Sequence, residues 1–101
     1  MMMTIIDTHA HLDRVEDIDG ALSRAAAAGV TAVLAVGVDL EANRKNLSLA
    51  QNSTAPEIFC ALGLHPGNIV ASEVERTLEF TRENISRAVA VGEIGLDYWY
   101  K

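Results

Sequence analysis

The run Thr31-Ala32-Val33-Leu34-Ala35-Val36 decides the fold of this chain. It is apolar after its first residue, it is rich in β-branched side chains, and Gly29 and Gly37 bound it. It shows no alternation between polar and apolar positions, and a strand that is buried on both faces has this pattern. The run therefore predicts a buried strand in a parallel sheet whose two faces are both covered.

Three further apolar stretches predict strands on either side of this run. They cover Thr4–Thr8, Glu57–Leu64 and Arg87–Ile94. Each is short and separated from the next by a segment of helical length, which is the arrangement of β-α-β units. We therefore expect four parallel strands with alternating helices.

Helical periodicity fills the segments between the predicted strands. Apolar residues recur at three- and four-residue spacing over Val15–Ala28, where Gly29 is a plausible stop, and over Asp39–Gln51. A third helix is expected to begin at Ser72, because Glu75 follows three residues later in a capping-box pattern. The fold class is thus α/β.

Chemically active residues cluster where the predicted strands end. In a parallel α/β sheet, ligand sites form at the carboxyl ends of the strands. The residues that follow the four strands in turn are His9 and His11, Gly37 and Asp39, His65, and Glu93 with Asp97. We therefore expect one site at this end of the sheet.

His9 and His11 are candidate metal ligands. If residues 4–11 form a strand, side chains two residues apart point the same way, so both imidazoles project from one face. Neutral imidazoles bind Zn²⁺, Mn²⁺ and similar cations, and Asp7 could accept a hydrogen bond that orients a ring. The alternative is a pair of hydrogen-bonded histidines in a turn, which we consider less favoured.

Glu93 is the candidate carboxylate for the same ion. Its neighbours from Val89 to Leu96 are all apolar or glycine. Burying a carboxylate there is unfavourable unless it is paired or binds a metal, and Gly92 and Gly95 admit the close approach of another group. The alternative is a buried ion pair with an arginine from a neighbouring helix.

His65 and Asp97 are candidates for contacts with a substrate. Pro66 biases His65 toward an extended conformation at the same end of the sheet. By local argument, a substrate or phosphate contact and a structural turn histidine are equally supported. Asp97 could orient a ligand or substrate, and the aromatic residues 98–100 could form a substrate wall or pack in a core or interface.

Composition narrows the class of protein. The 101 residues are half apolar and carry a net charge of −6, so a phosphate substrate would depend on bound cations for attraction. No apolar run approaches the roughly 20 residues of a membrane span, and no export signal is visible. One cysteine, Cys60, predicts a buried inert thiol, and a cytoplasmic protein is expected.

Three ordered motifs resemble those of a known family. Asp7-Thr8-His9-Ala10-His11-Leu12-Asp13, Gly63-Leu64-His65-Pro66 and Gly92-Glu93-Ile94-Gly95-Leu96-Asp97-Tyr98 are similar, in order and spacing, to the N-terminal signatures of the TatD family of metal-dependent hydrolases. The resemblance implies the N-terminal half of a TIM-type (β/α)₈ barrel over residues 1–101. The second motif departs from the family pattern at Gly67, where the family usually has histidine.

The family resemblance also implies a chemistry. Members are described as deoxyribonucleases that depend on divalent metals, so the resemblance implies DNA or another phosphodiester as substrate and Mg²⁺, Mn²⁺ or Zn²⁺ as cofactor, two ions in a complete site. His9 and His11 would hold one ion, and Glu93 would act as the catalytic ligand or bridge. The family's later histidines and its aspartate base have no counterpart among these residues.

A half-barrel leaves two sheet edges open, and these edges suggest a second hypothesis, in which the chain self-associates. Barrel closure removes edges, whereas four strands expose both edges and the side chains meant for the barrel interior. We therefore also consider a catalytically incomplete chain that forms homo-oligomers through these edges and binds metal weakly without turnover.

Overall fold

The computed structural model describes residues 3–96. Four parallel strands lie in the order β1-β2-β3-β4, with bounds Ile5–Ala10, Val30–Val36, Glu57–Leu62 and Ala90–Val91. Three α-helices connect them, and they are α1 (Ile18–Ala27), α2 (Leu40–Asn52) and α3 (Val74–Asn84). The predicted four-stranded (β/α) half-barrel is confirmed.

The strand order explains why only one face of the sheet is covered. Each right-handed crossover moves one strand further in the same direction, so every helix falls on the same face, as in a barrel. The prediction that both faces are covered is therefore wrong for these residues. Phe59 points to the face opposite the helices and is 38% exposed.

The core lies between the helices and strands β2 and β3. One cluster joins α1 to the sheet, and a second joins α2 to β3 with Phe80 of α3 at its border. Their buried members are Leu22, Ala35 and Ile58 in the first cluster and Leu47, Cys60 and Leu62 in the second. Small alanines and branched side chains let the helices approach the sheet closely.

Strand β1 runs further than predicted and is exposed. It covers Ile5–Ala10 rather than Thr4–Thr8, so His9 is a strand residue and His11 follows directly. It was expected to be buried, yet Ile5 to His9 are all exposed. The reason is its position, because within residues 3–96 β1 is an edge strand that pairs only with β2, and the face away from the helices is uncovered.

Helix α1 begins later than its apolar pattern suggested. The prediction started at Val15, but residues Leu12–Arg14 form a 3₁₀ turn and the helix starts at Ile18. Asp17 caps it by accepting a hydrogen bond from the Gly20 N–H. The predicted stop at Gly29 is confirmed, since this glycine adopts a φ of 103°.

Helix α2 and strand β3 match their predictions closely. Asp39 is the N-cap of α2 and accepts a hydrogen bond from the Ala42 N–H at 2.8 Å. Strand β3 ends at Leu62, two residues before the predicted end at Leu64. Cys60 is fully buried as expected, and this burial raises the pKa of its thiol to about 11.

Helix α3 does not use the predicted cap. Ser72 lies within a 3₁₀ turn over Ala71–Glu73, and the N-cap position is Glu73, whose side chain makes no capping hydrogen bond. The preceding turn shifts the helix start by one residue, so Ser72 and Glu75 are out of capping register. The buried Thr77 hydroxyl donates to the Glu73 carbonyl at 2.9 Å.

Strand β4 is much shorter than the predicted Arg87–Ile94. Arg87 belongs to a 3₁₀ turn, and only Ala90 and Val91 pair with β3. The Gly92 N–H still donates to the Leu62 carbonyl of β3 at 2.9 Å, but the Glu93 N–H donates to the carbonyl of Gly37, directly after β2, at 2.7 Å. The crossing ends the ladder and carries Glu93 toward β1.

Candidate metal centre

Glu93 lies among three histidines at the carboxyl end of the sheet. Its Oε2 is 3.0 Å from His11 Nε2 and 3.5 Å from His9 Nε2. Its Oε1 is 3.7 Å from His65 Nε2. Four side chains that sequence analysis placed after strands β1, β3 and β4 therefore meet at one point, as the convergence of parallel strand ends requires.

The end of β1 places the histidine pair, because His9 is the last residue but one of the strand and His11 follows it directly. Their rings lie edge to face with centroids 5.0 Å apart. Asp7, which we expected to orient a ring, instead accepts a hydrogen bond from the backbone N–H of His9 at 3.0 Å. The Asp7 carboxylate therefore stabilises the backbone conformation at the end of the strand and does not orient a histidine ring.

A backbone carbonyl orients the His11 ring. His11 Nδ1 lies 3.2 Å from the Val36 carbonyl oxygen at the end of β2. A carbonyl can only accept, so Nδ1 carries the hydrogen and donates it. The lone pair of the neutral ring is then on Nε2, which is the atom that faces Glu93.

His65 has the opposite tautomer. The Gly67 N–H donates to His65 Nδ1 at 2.9 Å, so the Nδ1 lone pair is already used. The hydrogen of the neutral ring is therefore on Nε2. Nε2 of His65 is a donor toward Glu93 Oε1, whereas Nε2 of His11 is an acceptor.

A glycine opens the path that Glu93 takes. A Cβ on Gly63 would overlap the backbone of Gly92 and Glu93, which lies directly against it. Any other residue at this position would push the crossing segment away from the sheet. Gly63 thus lets the Glu93 carboxylate reach the β1 histidines.

The donors present fit a divalent cation. The candidate ligand atoms of His9, His11 and Glu93 all lie within 4.8 Å of one another, and these three form the only such group within residues 3–96. Ligand atoms at about 2.0–2.2 Å from a tetrahedral ion would stand roughly 3.3–3.6 Å apart, close to the His–Glu separations of 3.0 and 3.5 Å. His11 Nε2 and Glu93 Oε2 both present lone pairs, and a cation bound between them would interact favourably with both.

The arginine alternative for Glu93 has no support in the described part of the chain. Over residues 3–96, the ionic partners of its carboxylate are the three histidines. Arg44, on the nearby helix α2, instead stacks on the Phe80 ring, with its guanidinium carbon 5.6 Å from the ring centroid. Glu93 is half-enclosed, with a quarter of its side chain exposed.

Asp39 does not contribute to the site as expected, and the predicted residues from Asp97 onward lie outside the described range. Asp39 follows β2, but its carboxylate caps α2. Asp97 and the aromatic residues 98–100 lie outside residues 3–96, so their suggested roles in binding substrate stay predictions.

Sequence analysis missed one buried polar residue beside the site. The Asn43 side chain is fully buried and hydrogen-bonds the backbone of Gly63. A signal was available, since Asn43 falls on the same side of α2 as the apolar Leu40 and Leu47. A polar residue on a buried stripe needs hydrogen-bond partners, and backbone groups at a strand end supply them.

Within residues 3–96, none of the helices has the length and apolar character that crossing a membrane requires.

Comparison with known proteins places the chain beside metal-dependent hydrolases. A family described as TatD related DNase matches residues 6–101. The chain is 38% identical over 104 residues to an uncharacterized metal-dependent hydrolase, YjjV, of Escherichia coli, and this match covers 96% of the chain and 39% of the relative. It is 36% identical over 107 residues to an uncharacterized metal-dependent hydrolase, TatD, of Mycobacterium tuberculosis, covering 94% and 38%.

Solved structures show the same partial correspondence. A TatD family hydrolase from Entamoeba histolytica superposes with a TM-score of 0.75 at 28% identity, covering 97% of this chain and 39% of that one. The crystal structure of YjjV from Escherichia coli gives 0.73 at 35% identity, covering 94% and 38%. The chain thus spans about two fifths of the length of these proteins.

Proposed function

Because the chain belongs to the TatD family, we propose that its His9–His11–Glu93 centre binds a divalent cation for the hydrolysis of phosphodiester bonds, with DNA as the substrate class. The observation that carries the proposal is the pairing of the His11 Nε2 lone pair with Glu93 Oε2 at 3.0 Å. Both atoms are of the kind that binds Mg²⁺, Mn²⁺ or Zn²⁺, and the resemblance favours a pair of ions in a complete site.

A bound divalent cation would activate water and offset the charge of a phosphate group. The protein's own part is to hold His11 in the tautomer that leaves Nε2 free, through the Val36 carbonyl. Glu93 adds a negative charge that favours cation binding in a half-enclosed setting. His65 presents an Nε2–H, which can donate to a phosphate oxygen because its Nδ1 is occupied by the Gly67 N–H.

The family assignment favours a phosphodiester over an amide substrate. The two reactions share a metal-activated water, but the Gly92–Asp97 motif resembles the phosphoesterase branch. With a net charge of −6, the chain offers little general attraction for a polyanion, so the cation and His65 would supply most of the local attraction for phosphate.

Cleavage of a short single-stranded DNA with and without Mn²⁺ tests the proposal. We expect metal-dependent cleavage by a protein carrying this chain, and its loss in Glu93→Gln, which keeps the size of the side chain but removes its charge. Glu83→Gln, at an exposed position on α3, is the matched control and should cleave normally. Cleavage that persists in Glu93→Gln, or that needs no metal, would contradict the proposal.

A second candidate applies to the 101-residue chain on its own, namely metal binding without turnover in a self-associated state. It is favoured by the exposure of β1 and β4, whose outer edges are unpaired within residues 3–96. Sedimentation at increasing concentration, with Zn²⁺ titration, tests it. Association together with metal uptake and no DNA cleavage supports this candidate, whereas a monomer that cleaves DNA excludes it.

A further inference from the structure

Asn43 closes the end of strand β3 from the side of helix α2. Its Nδ2 donates to the Gly63 carbonyl at 3.0 Å, and the Gly63 N–H donates to its Oδ1 at 3.3 Å. One side chain therefore satisfies both backbone groups of Gly63, as a neighbouring strand would. The Asn43 side chain is fully buried, so water does not compete for these bonds.

The same amide lies against the two glycines that guide Glu93. A Cβ on Gly37 would overlap Asn43 Oδ1, and a Cβ on Gly63 would overlap Gly92 and the Glu93 backbone. The Gly37 carbonyl in turn accepts the Glu93 N–H at 2.7 Å. Asn43 thus contacts Gly37 and Gly63, the two residues whose backbone supports the Glu93 segment.

The two hydrogen bonds between Asn43 and Gly63, which we call the clamp, also lie just before His65 in the chain. This residue follows Gly63 by two positions, and its N–H donates to the Val38 carbonyl at 2.9 Å, next to Gly37. A shift of Gly63 would therefore displace the backbone that supports both His65 and Glu93. Within residues 3–96, the Asn43 side chain makes no hydrogen bond to the side chain of His65 or Glu93.

We propose that Asn43 is a positioning residue for the metal centre, which acts through Gly63 and Gly37 to hold Glu93 and His65 in place. The proposal rests on the function proposed above. It predicts that the loss of the Asn43 amide weakens metal binding although every candidate ligand remains, because ligands that are no longer held in place bind a cation less well.

Asn46 provides a matched control on the same helix. It is the same residue type, one turn further along α2, and it is also fully buried. Unlike Asn43, neither its Oδ1 nor its Nδ2 has a hydrogen-bond partner within the described residues. Removing its amide therefore changes core polarity and volume without releasing a strand end.

Calorimetric titration with Zn²⁺ of the unaltered protein, Asn43→Ala and Asn46→Ala tests the proposal. We expect Asn43→Ala to lose about 10–100-fold in affinity, the range for groups that support metal ligands, and Asn46→Ala to keep the original affinity. Circular dichroism checks that both variants are folded. Equal affinity in the folded Asn43→Ala, or an equal loss in both variants, overturns the positioning role. If the unaltered protein itself binds no Zn²⁺, the proposed function fails, and the positioning role with it.

A measurement on the unaltered protein covers the case in which Asn43→Ala does not fold. Coupling is reciprocal, so metal binding should stabilise the clamp that favours it. We expect Zn²⁺ to slow hydrogen exchange of the Gly63 amide more than that of amides in α1, such as Ala25. Slowing that is equal at the two places, or absent at Gly63, overturns the proposal.

Discussion

The helix-covered face of the sheet and its carboxyl end are held together in different ways. On the covered face, Ala35, Cys60 and Leu62 are fully buried and pack against helices. At the carboxyl end, the His9 side chain is 57% exposed and the geometry depends on single hydrogen bonds such as that from His11 to Val36. Apolar burial therefore supplies the stability, while a few polar contacts set the site.

The largest stability change should come from the covered face. Leu62→Ala removes a fully buried side chain from the second core cluster and should cost about 2–5 kcal/mol in free energy of unfolding. Phe59→Ala, on the same strand but on the open face, should cost less although more atoms are lost, because Phe59 is 38% exposed. Urea unfolding of the two variants measures both. An equal or larger loss for Phe59→Ala would mean that another layer covers the open face.

At the carboxyl end of the sheet, substitutions should change Zn²⁺ affinity more than they change the free energy of unfolding. His11→Gln removes a candidate ligand and should reduce Zn²⁺ affinity by at least about tenfold, whereas the lost hydrogen bond to Val36 should cost about 0.5–1.5 kcal/mol in free energy of unfolding, less than Leu62→Ala. Calorimetric titration and urea unfolding of the same preparations separate the two effects.

His65→Gln is the matched comparison within the site. The His65 Nε2 carries a hydrogen and offers no lone pair, so Zn²⁺ affinity should stay unchanged. Binding of inorganic phosphate to the Zn²⁺-loaded protein should weaken instead. Loss of Zn²⁺ affinity in His65→Gln would show that the ring turns over and acts as a ligand.

The sequence predicted the four parallel strands and the edge of the sheet at which three candidate ligands meet, because both depend on local patterns. Apolar runs such as Thr31–Val36 locate strands, and parallel strand ends bring His9, His11 and Glu93 to one edge. The order of the strands then follows from short right-handed crossovers. These features need no knowledge of which side chains touch.

The remaining features depend on contacts between distant residues. Strand β4 ends at Val91 because Glu93 bonds to Gly37, which is 56 positions earlier in the chain. The Val36 carbonyl orients His11 in the place we had given to Asp7, and no local pattern marks a carbonyl for this use. Ser72 failed as a cap because a 3₁₀ turn shifted the register by one residue.

The covered face should also respond to alkaline pH through Cys60. Burial raises the pKa of this thiol from its ordinary 9.0 to about 11. Below about pH 9 the thiol is neutral in both states and its contribution to stability is complete. Between about pH 9 and 11 the unfolded chain loses the proton first, so the free energy of unfolding falls as pH rises, and the contribution is lost above that range.

Cys60→Ala isolates this effect from other groups that titrate in the same range. The difference in free energy of unfolding between the unaltered protein and Cys60→Ala should be constant from pH 7 to about 9 and then decline. Urea unfolding at intervals across this range measures it. A constant difference up to pH 11 would mean that Cys60 is reached by solvent.

A small effect on stability is expected where the two regions meet, at the N-terminus of α2. Asp39→Ala removes a part-buried cap with a 2.8 Å hydrogen bond and should cost about 1 kcal/mol, more than Asp17→Ala, whose exposed bond to Gly20 is 3.3 Å long. Thermal unfolding compares the two variants. If Asp39→Ala also lowers Zn²⁺ affinity as Asn43→Ala should, the first turn of α2 positions the site as a unit. If Asp39→Ala leaves the Zn²⁺ affinity unchanged, the first turn of α2 can loosen without moving Gly63. Asp39 would then contribute only to the stability of the helix, whereas Asn43 would contribute to the site.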